Sequence, residues 1–187
     1  MLHKITSMAT AAFVLTSTLV ASAALDASVK VTGARQGAFK HQNQVQVAHG
    51  GDYTLLAFQH SIVSPRDASS GLPSGKRLAD VIVATIDVDS NSRKPWDNAL
   101  AATEVESSVE FEFFKPATPG TSPTKYYDVT LTNATITRID LVPGDPHDTS
   151  LVQGHQRLRV AFTFQKIEVT WTNGGVTASD DWSHAAL

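Results

Sequence analysis

The stretch RLRVAFTFQKIEVTWT, residues 157–172, alternates apolar and polar residues and then changes the phase of the alternation. Apolar residues have even numbers before Gln165 and odd numbers after it: Leu158, Val160, Phe162 and Phe164, then Ile167, Val169 and Trp171. A period of two is typical of a β-strand buried on one face. The change of face near Gln165 indicates either a β-bulge, at which a strand bends, or two strands with a very short connection.

A second long run, YYDVTLTNATITRIDL (126–141), changes its apolar face near Asn133 in the same way. Further alternating or β-branched segments are DASVKV (26–31), DYTLLAFQHSIV (52–63), VIVATIDV (81–88) and SVEFEFF (108–114). Strands that bend and change faces close barrels and turn corners between sheets. The sequence therefore predicts a mainly β protein, a compact β-barrel of two sheets.

One segment interrupts the β pattern, SRKPWDNALAATE at 92–104. It contains good helix formers, a proline near its start, and Trp96, Ala99 and Leu100 at helical spacing. We expect one short α-helix of two or three turns there, with Ser92 as a candidate N-cap.

Composition restricts the class of protein. The chain has 187 residues, 15 Lys plus Arg, 18 Asp plus Glu, a formal net charge of -3 and no cysteine. This charge offers no general attraction for nucleic acid, and the lack of cysteine excludes disulfides and thiolate metal sites.

The N-terminus has the three parts of a secretory signal peptide: a basic start, an uncharged apolar run and the small-residue triplet ASA at 21–23. We predict a signal peptide over residues 1–23 and a single domain over residues 24–187. That arrangement predicts a secreted or periplasmic protein without stable membrane insertion. Translation from a later start, near Leu25 or Val29, is the alternative, and it would leave a chain without this segment.

The longest predicted loop, SPRDASSGLPSGKR (64–77), contains glycines and a lysine that suggest a phosphate-binding loop. Such a loop needs four residues between its glycines, a hydroxyl residue after the lysine, and a following helix. Here three residues separate Gly71 from Gly75, Arg77 follows Lys76, and a strand is predicted next. Nucleotide hydrolysis is therefore not predicted, and a loop this long indicates a functional or mobile segment.

Other catalytic and metal-binding patterns are weak. The seven histidines lack metal-ligand spacing, although His147 and His155 flank an acidic turn, and no GxSxG motif is present. ASDDW (178–182) places two carboxylates beside a tryptophan, but adjacent strand residues point to opposite faces. We expect no catalytic, cofactor or metal site. A catalytic site assembled from distant residues stays open as an alternative.

Six segments, in the same order, resemble the hemolysin-coregulated protein (Hcp) family of type VI secretion tube subunits. They are DASVKVTGARQG (26–37), SGLPSGKR (70–77), NALAATEVESSVEFEFFK (98–115), YYDVTLTNATI (126–136), FTFQKIEVTW (162–171) and ASDDW (178–182). The resemblance implies a two-sheet β-barrel with one short helix and a long protruding loop. It also implies a structural, non-enzymatic subunit whose hexameric rings stack into a tube and bind effector cargo in the lumen.

The resemblance assigns ring stacking to the long loop and a signature to the C-terminus. The loop residues are Arg66, Gly71, Ser74, Gly75, Lys76 and Arg77, and the C-terminal residues are Asp180, Asp181 and Trp182. The implied partners are further copies of the chain, effector proteins and components of the secretion apparatus. If translation begins at the later start, the resemblance implies assembly in the cytoplasm followed by type VI secretion. The alternative function is that of an exported Hcp-like paralogue that acts as a monomeric or oligomeric extracytoplasmic binding module.

Overall fold

The computed structural model describes residues 26–40, 53–75, 78–89, 92–116, 122–142, 156–172 and 174–182. The predicted signal peptide, His147 and His155 lie outside these residues.

Strands dominate the described residues, as the alternating sequence predicts. In chain order they are β1 Asp26–Gly33, β2 Gly37–Ala38, β3 Tyr53–Gln59, β4 Ile62–Val63, β5 Leu78–Ala79, β6 Ile82–Val88, β7 Val105–Lys115, β8 Thr124–Val142, β9 Gln156–Thr163, β10 Lys166–Trp171 and β11 Val176–Asp181. Helix α1, Lys94–Ala102, lies between β6 and β7. No helix in the described part of the chain is long and apolar enough to cross a membrane.

Six strands close into a barrel, in the order β8, β7, β1, β3, β6 and β9, with β9 returning to β8. The hairpin β10–β11 extends the same sheet from β8, and β2 pairs with β1. A second, two-stranded sheet consists of β4 and β5. The predicted β-barrel with a short helix and a long loop is confirmed.

Strand β8 makes the closure possible because it changes partners along its length. It pairs with β10 from Tyr127 to Thr132 and with β9 from Thr135 to Val142. Asn133, at the change, has a φ of 50°, which reverses the buried face. The register shift expected at Asn133 lies between Ile136 and Arg138 instead, so the bulge was predicted a few residues too early.

The run 157–172 forms two strands with a very short connection, and the β-bulge considered for Gln165 is not present. β9 ends at Thr163 and β10 begins at Lys166. The register against β8 is unchanged across the join, from the pair Lys166–Thr132 to the pair Phe162–Ile136. Gln165 stabilises the corner, since its side-chain oxygen accepts a hydrogen bond from Asn133 Nδ2 at 2.7 Å. The corner turns without an inserted residue.

Helix α1 confirms the predicted helical segment and its buried residues Trp96 and Ala99. The suggested cap is wrong: the N-cap is Arg93, which makes no side-chain capping hydrogen bond. Ser92 is buried one residue earlier, where its hydroxyl accepts a hydrogen bond from Asp89 N at 2.9 Å. Ser92 therefore closes the turn after β6 rather than the helix.

The barrel interior is filled by aliphatic and aromatic side chains from every barrel strand and from α1. The largest fully buried apolar ones are Trp96, Tyr53, Phe111, Phe162, Ile82, Ile86, Leu131 and Leu158. Trp96 meets Tyr53 and Phe39 edge to face, with ring centroids 5.1 and 5.4 Å apart. Such contacts add to the free energy of apolar burial, so α1 is anchored mainly through Trp96.

Candidate functional site: the projecting loop and the C-terminal strand

The loop predicted to carry function leaves the barrel through the short pair β4–β5 and is exposed along residues 66–75. It has an ordered conformation of its own. Arg66 forms an isolated bridge with Pro73, and Arg66 Nη1 donates to Gly71 O at 3.1 Å. Ser74 N donates to Pro65 O at 3.0 Å. The structure therefore brings Arg66, Gly71 and Ser74 together at the end of the loop.

Asp67 organises the tip of the loop. Its Oδ1 accepts hydrogen bonds from Ser69 and Ser70, through the backbone and the hydroxyl of each, at 2.6 to 3.1 Å. The Ser69 hydroxyl and the other three donors hold the pKa of Asp67 below its ordinary value. Gly71 follows with a φ of 69°, a conformation that favours glycine. Sequence reasoning named Gly71 and missed Asp67, although Asp followed by two Ser is a turn signal.

Exposed apolar side chains accompany this polar scaffold. Leu72 at the tip is 65% exposed, and Ile62, Val63 and Leu78 at the base of the loop are also exposed. Lys76 and Arg77 lie outside the described residues. Gly75, just before them, would meet only Pro65 at an ordinary distance of 3.7 Å if it carried a Cβ. The segment after the glycines is strand β5 rather than a helix, as the argument against a phosphate-binding loop required.

The C-terminal signature ends β11, where Asp180 pairs with Ile167 and Asp181 with Lys166. Trp182 N donates to Gln165 O at 3.0 Å, and its ring lies 6.4 Å from that of Phe164. Trp182 and Phe164 line a groove of about 270 Å³ together with Leu78, Ala79, Asp80, Val81 and Thr163. The fold thus brings the C-terminal signature to the base of the loop, a proximity that sequence reasoning missed.

A buried pair of carboxylates, Glu104 and Glu106, was also missed from the sequence. Glu104 accepts hydrogen bonds from Arg35 N at 2.6 Å, Gln36 N at 2.9 Å and Gln36 Nε2 at 2.8 Å. Burial works to raise the pKa of Glu104, but these hydrogen bonds outweigh it and hold the pKa below its ordinary value. Both groups are almost fully buried, at 2% and 0% exposure.

Glu106 has a pKa that is shifted in the opposite direction to that of Glu104. Neither of its carboxylate oxygens has a hydrogen-bond partner among the described residues. Burial raises the pKa of Glu106 to about 7, and the Glu104 carboxylate adds to the increase. The alternating sequence pattern does not predict the burial of Glu106. A shift of register between Thr32 and Gly33 places this residue on the buried face.

Nothing in the described ranges groups three or more acidic or histidine side chains for a metal ion. The residues of the loop and the groove supply hydrogen bonds, apolar area and charge. They are therefore suited to protein contacts more than to a defined reaction.

Comparisons with known proteins agree with this architecture. The family model for "Type VI secretion system effector, Hcp" matches residues 28–171. The major exported protein of Pseudomonas aeruginosa is 33% identical over 175 residues, which cover 85% of this chain and 96% of that protein.

Solved structures give the same result. A crystal structure of an Hcp protein has a TM-score of 0.74 at 26% identity, covering 85% of this chain and 98% of the other. The secreted protein Hcp3 of Pseudomonas aeruginosa has a TM-score of 0.66 at 25% identity, covering 85% and 99%. With a family match over most of its length and a closed barrel that superposes on Hcp structures, the chain belongs to the Hcp family of type VI secretion system proteins.

Proposed function

We propose that the chain is a structural subunit that forms hexameric rings, and that these rings stack into a tube through the projecting loop. The observation that carries the proposal is the loop itself, which is ordered by its own hydrogen bonds and exposes Leu72 at its tip. An ordered loop loses little conformational entropy when it binds, so it is suited to a permanent contact.

Stacking requires that one surface of a ring contact a different surface of the next ring. A contact of this kind can be repeated from ring to ring without limit. The loop offers apolar area at Leu72, and Lys76 and Arg77 would add charge-assisted hydrogen bonds to carboxylates of the next ring. Arg66 and Asp67 are already engaged within the loop, so their role is to fix its shape. We therefore assign contact to Leu72, Lys76 and Arg77.

Cargo binding in the lumen needs a hydrated surface, and one face of the extended sheet has that character. Cross-strand partners form a polar row across β1, β7, β8, β10 and β11: Lys30, Glu110, Thr130, Glu168 and Ser179. Polar side chains in such a row keep this face of the sheet hydrated. An effector bound to a hydrated face can be released again. The proposed partners are thus six copies per ring and an effector protein.

Export completes the proposal. Two of the similar proteins, both from Pseudomonas aeruginosa, are described as exported or secreted: the major exported protein and Hcp3. We propose that this chain is also secreted, with residues 1–23 as a cleaved signal peptide. N-terminal sequencing of the native protein tests this, since cleavage leaves Ala24 first and an intact Met1 contradicts it.

Native mass and electron microscopy test the assembly. The uncleaved chain of 20.0 kDa gives a hexamer of about 120 kDa, six times that mass. Changing Lys76 and Arg77 to Glu should leave the rings intact and remove the stacks. Lys94→Glu is the matched control, because Lys94 is an exposed lysine on α1. Unchanged stacks in the loop variant contradict the assigned loop contact, and a monomeric native mass favours a binding module instead.

A further inference from the structure

The carboxylates of Glu104 and Glu106 lie on the same side of the sheet, next to each other. Gly33 is the cross-strand partner of Glu106 in β1. A Cβ built on Gly33 would lie 2.6 Å from Glu104 Oε1, so the Glu104 carboxylate fills the space above Gly33. Directly paired residues have Cβ atoms about 5 Å apart, which makes the two carboxylates neighbours.

Glu104 also fastens α1 to the barrel. Its backbone N–H donates to Ala99 O at 2.9 Å, at the end of the helix, where Thr103 takes a left-handed conformation. Gln36, held by Glu104, donates from Nε2 to Pro95 O at 3.2 Å near the start of the helix. Glu104 therefore connects α1 with the turn at residues 34–36.

We propose that Glu104 and Glu106 form a pH-sensitive latch, which holds α1 and the turn at 34–36 on the barrel while Glu106 is protonated and loosens them when Glu106 ionises. The reason is electrostatic. An ionised Glu106 would be a second anion beside Glu104, fully buried and without a hydrogen-bond partner among the other described residues. Its own backbone N–H favours the anion, but burial outweighs this effect on the pKa. A buried charge without a partner is strongly destabilising, and access of water relieves it.

Within the part of the chain that the structure describes, the elements around Glu106 offer it no compensating cation. Its strand partners, Gly33 in β1 and Ala134 in β8, carry no titratable group. The turn supplies Arg35, whose backbone N–H already serves Glu104. On α1 the charged residues Lys94 and Asp97 are exposed. Among the described residues, the charge that acts on Glu106 is therefore the negative charge of Glu104, which disfavours ionisation of Glu106.

Helix α1 is the element joined to Glu104 that we expect to open, although its Trp96 is buried in the core. It has nine residues, buries only Trp96 and Ala99 among them, and packs mainly on β8. The barrel strands, in contrast, are hydrogen-bonded on both sides. Local opening draws on the least stable unit of a fold, so water should reach Glu106 by opening of α1 rather than by unfolding of the barrel.

Hydrogen exchange of the whole protein, measured by mass spectrometry between pH 5 and pH 8, tests the latch. In the open form Glu106 regains its ordinary pKa of 4.5, whereas in the closed form its pKa is about 7. Opening therefore becomes more favourable as pH rises between these two values. Corrected for intrinsic exchange, the opening of peptides from α1 should increase on the order of 50- to 100-fold over this range, since each pKa unit is tenfold.

Glu106→Gln keeps the shape of the side chain without its charge and should remove this increase. Glu110→Gln, on the same strand β7, is the matched control and should keep it. Peptides from β6 and β9 report the barrel and should change much less than those from α1. An equal increase in wild type and Glu106→Gln, or an equal increase across the barrel peptides, overturns the latch.

Discussion

Among the glycines that the structure describes, Gly33 is the one where an added methyl group would meet the closest neighbours. A Cβ there would lie 2.6 Å from Glu104 Oε1, 3.1 Å from Glu104 Cδ and 3.3 Å from Phe39 Cε1. The Glu104 carboxylate cannot move away freely, because it is buried and accepts hydrogen bonds from Arg35 and Gln36. Gly33→Ala must therefore displace the carboxylate or the strand.

The cost can be worked from these contacts. Overpacking a rigid site costs about 1–3 kcal/mol. Weakening a hydrogen bond to a buried charged group adds about 1.5–3 kcal/mol. The lower entropy of the unfolded alanine chain returns about 0.4–1 kcal/mol. We expect Gly33→Ala to lower the free energy of unfolding by about 2–5 kcal/mol, the balance of these effects.

Urea unfolding of wild type and variant at pH 7 measures this difference. Gly75→Ala is the matched control, because a Cβ there would meet Pro65 at an ordinary 3.7 Å. It should change stability by less than about 0.5 kcal/mol. In a Glu104→Ala background the cost of Gly33→Ala should largely vanish, as expected for two residues in contact. A Gly33→Ala variant as stable as the Gly75→Ala control would refute the reasoning.

Two further predictions concern β7 and β8. Glu112 is buried and accepts hydrogen bonds from Lys30 Nζ and Lys125 Nζ. Burial works to raise the pKa of Glu112, but the two lysines outweigh it and lower the pKa. Glu112→Gln should cost about 1–3 kcal/mol at pH 7 in urea unfolding, and Glu110→Gln much less. The difference should shrink as pH falls below 4.5, because the stability that a lowered pKa contributes is complete above the ordinary value and is lost as pH falls toward the lowered one. A difference that persists at low pH contradicts the ionic origin. Asn133 has a φ of 50°, so Asn133→Ala should cost about 1 kcal/mol in thermal unfolding and Asn133→Gly clearly less. Equal costs would show that backbone strain is not the cause.

Much of the fold could be predicted from local sequence. The alternation in SVEFEFF predicts Val109, Phe111 and Phe113 on one face and Glu110 and Glu112 on the other. Val109 and Phe111 are fully buried, whereas Phe113 is only half-buried and Glu112 is buried as well. The change of face near Gln165 indicated a corner, and the structure has one between β9 and β10. The predictions that succeeded did so because the period of a strand is a property of neighbouring residues.

The candidate site was predicted less completely. The sequence placed Gly71 and Ser74 in a long loop, and the structure shows that this loop is ordered by its own hydrogen bonds. Trp182 lies at the base of that loop, which the sequence did not indicate. Glu106 escaped notice because its neighbours in the sequence make it look like one of several alternating glutamates. Its burial depends on the register of β7 against β1, which no short segment contains.

The sequence by itself determined where strands, the helix and the long loop occur, because periodicity and turn residues act over a few positions. Only the tertiary structure decided that β9 returns to β8 to close the barrel. It alone also decided that Gly33 lies beneath Glu104 and that Glu106 is left without a hydrogen-bond partner among the described residues. The physical reason is that pairing register, burial and charge proximity join residues that are far apart along the chain.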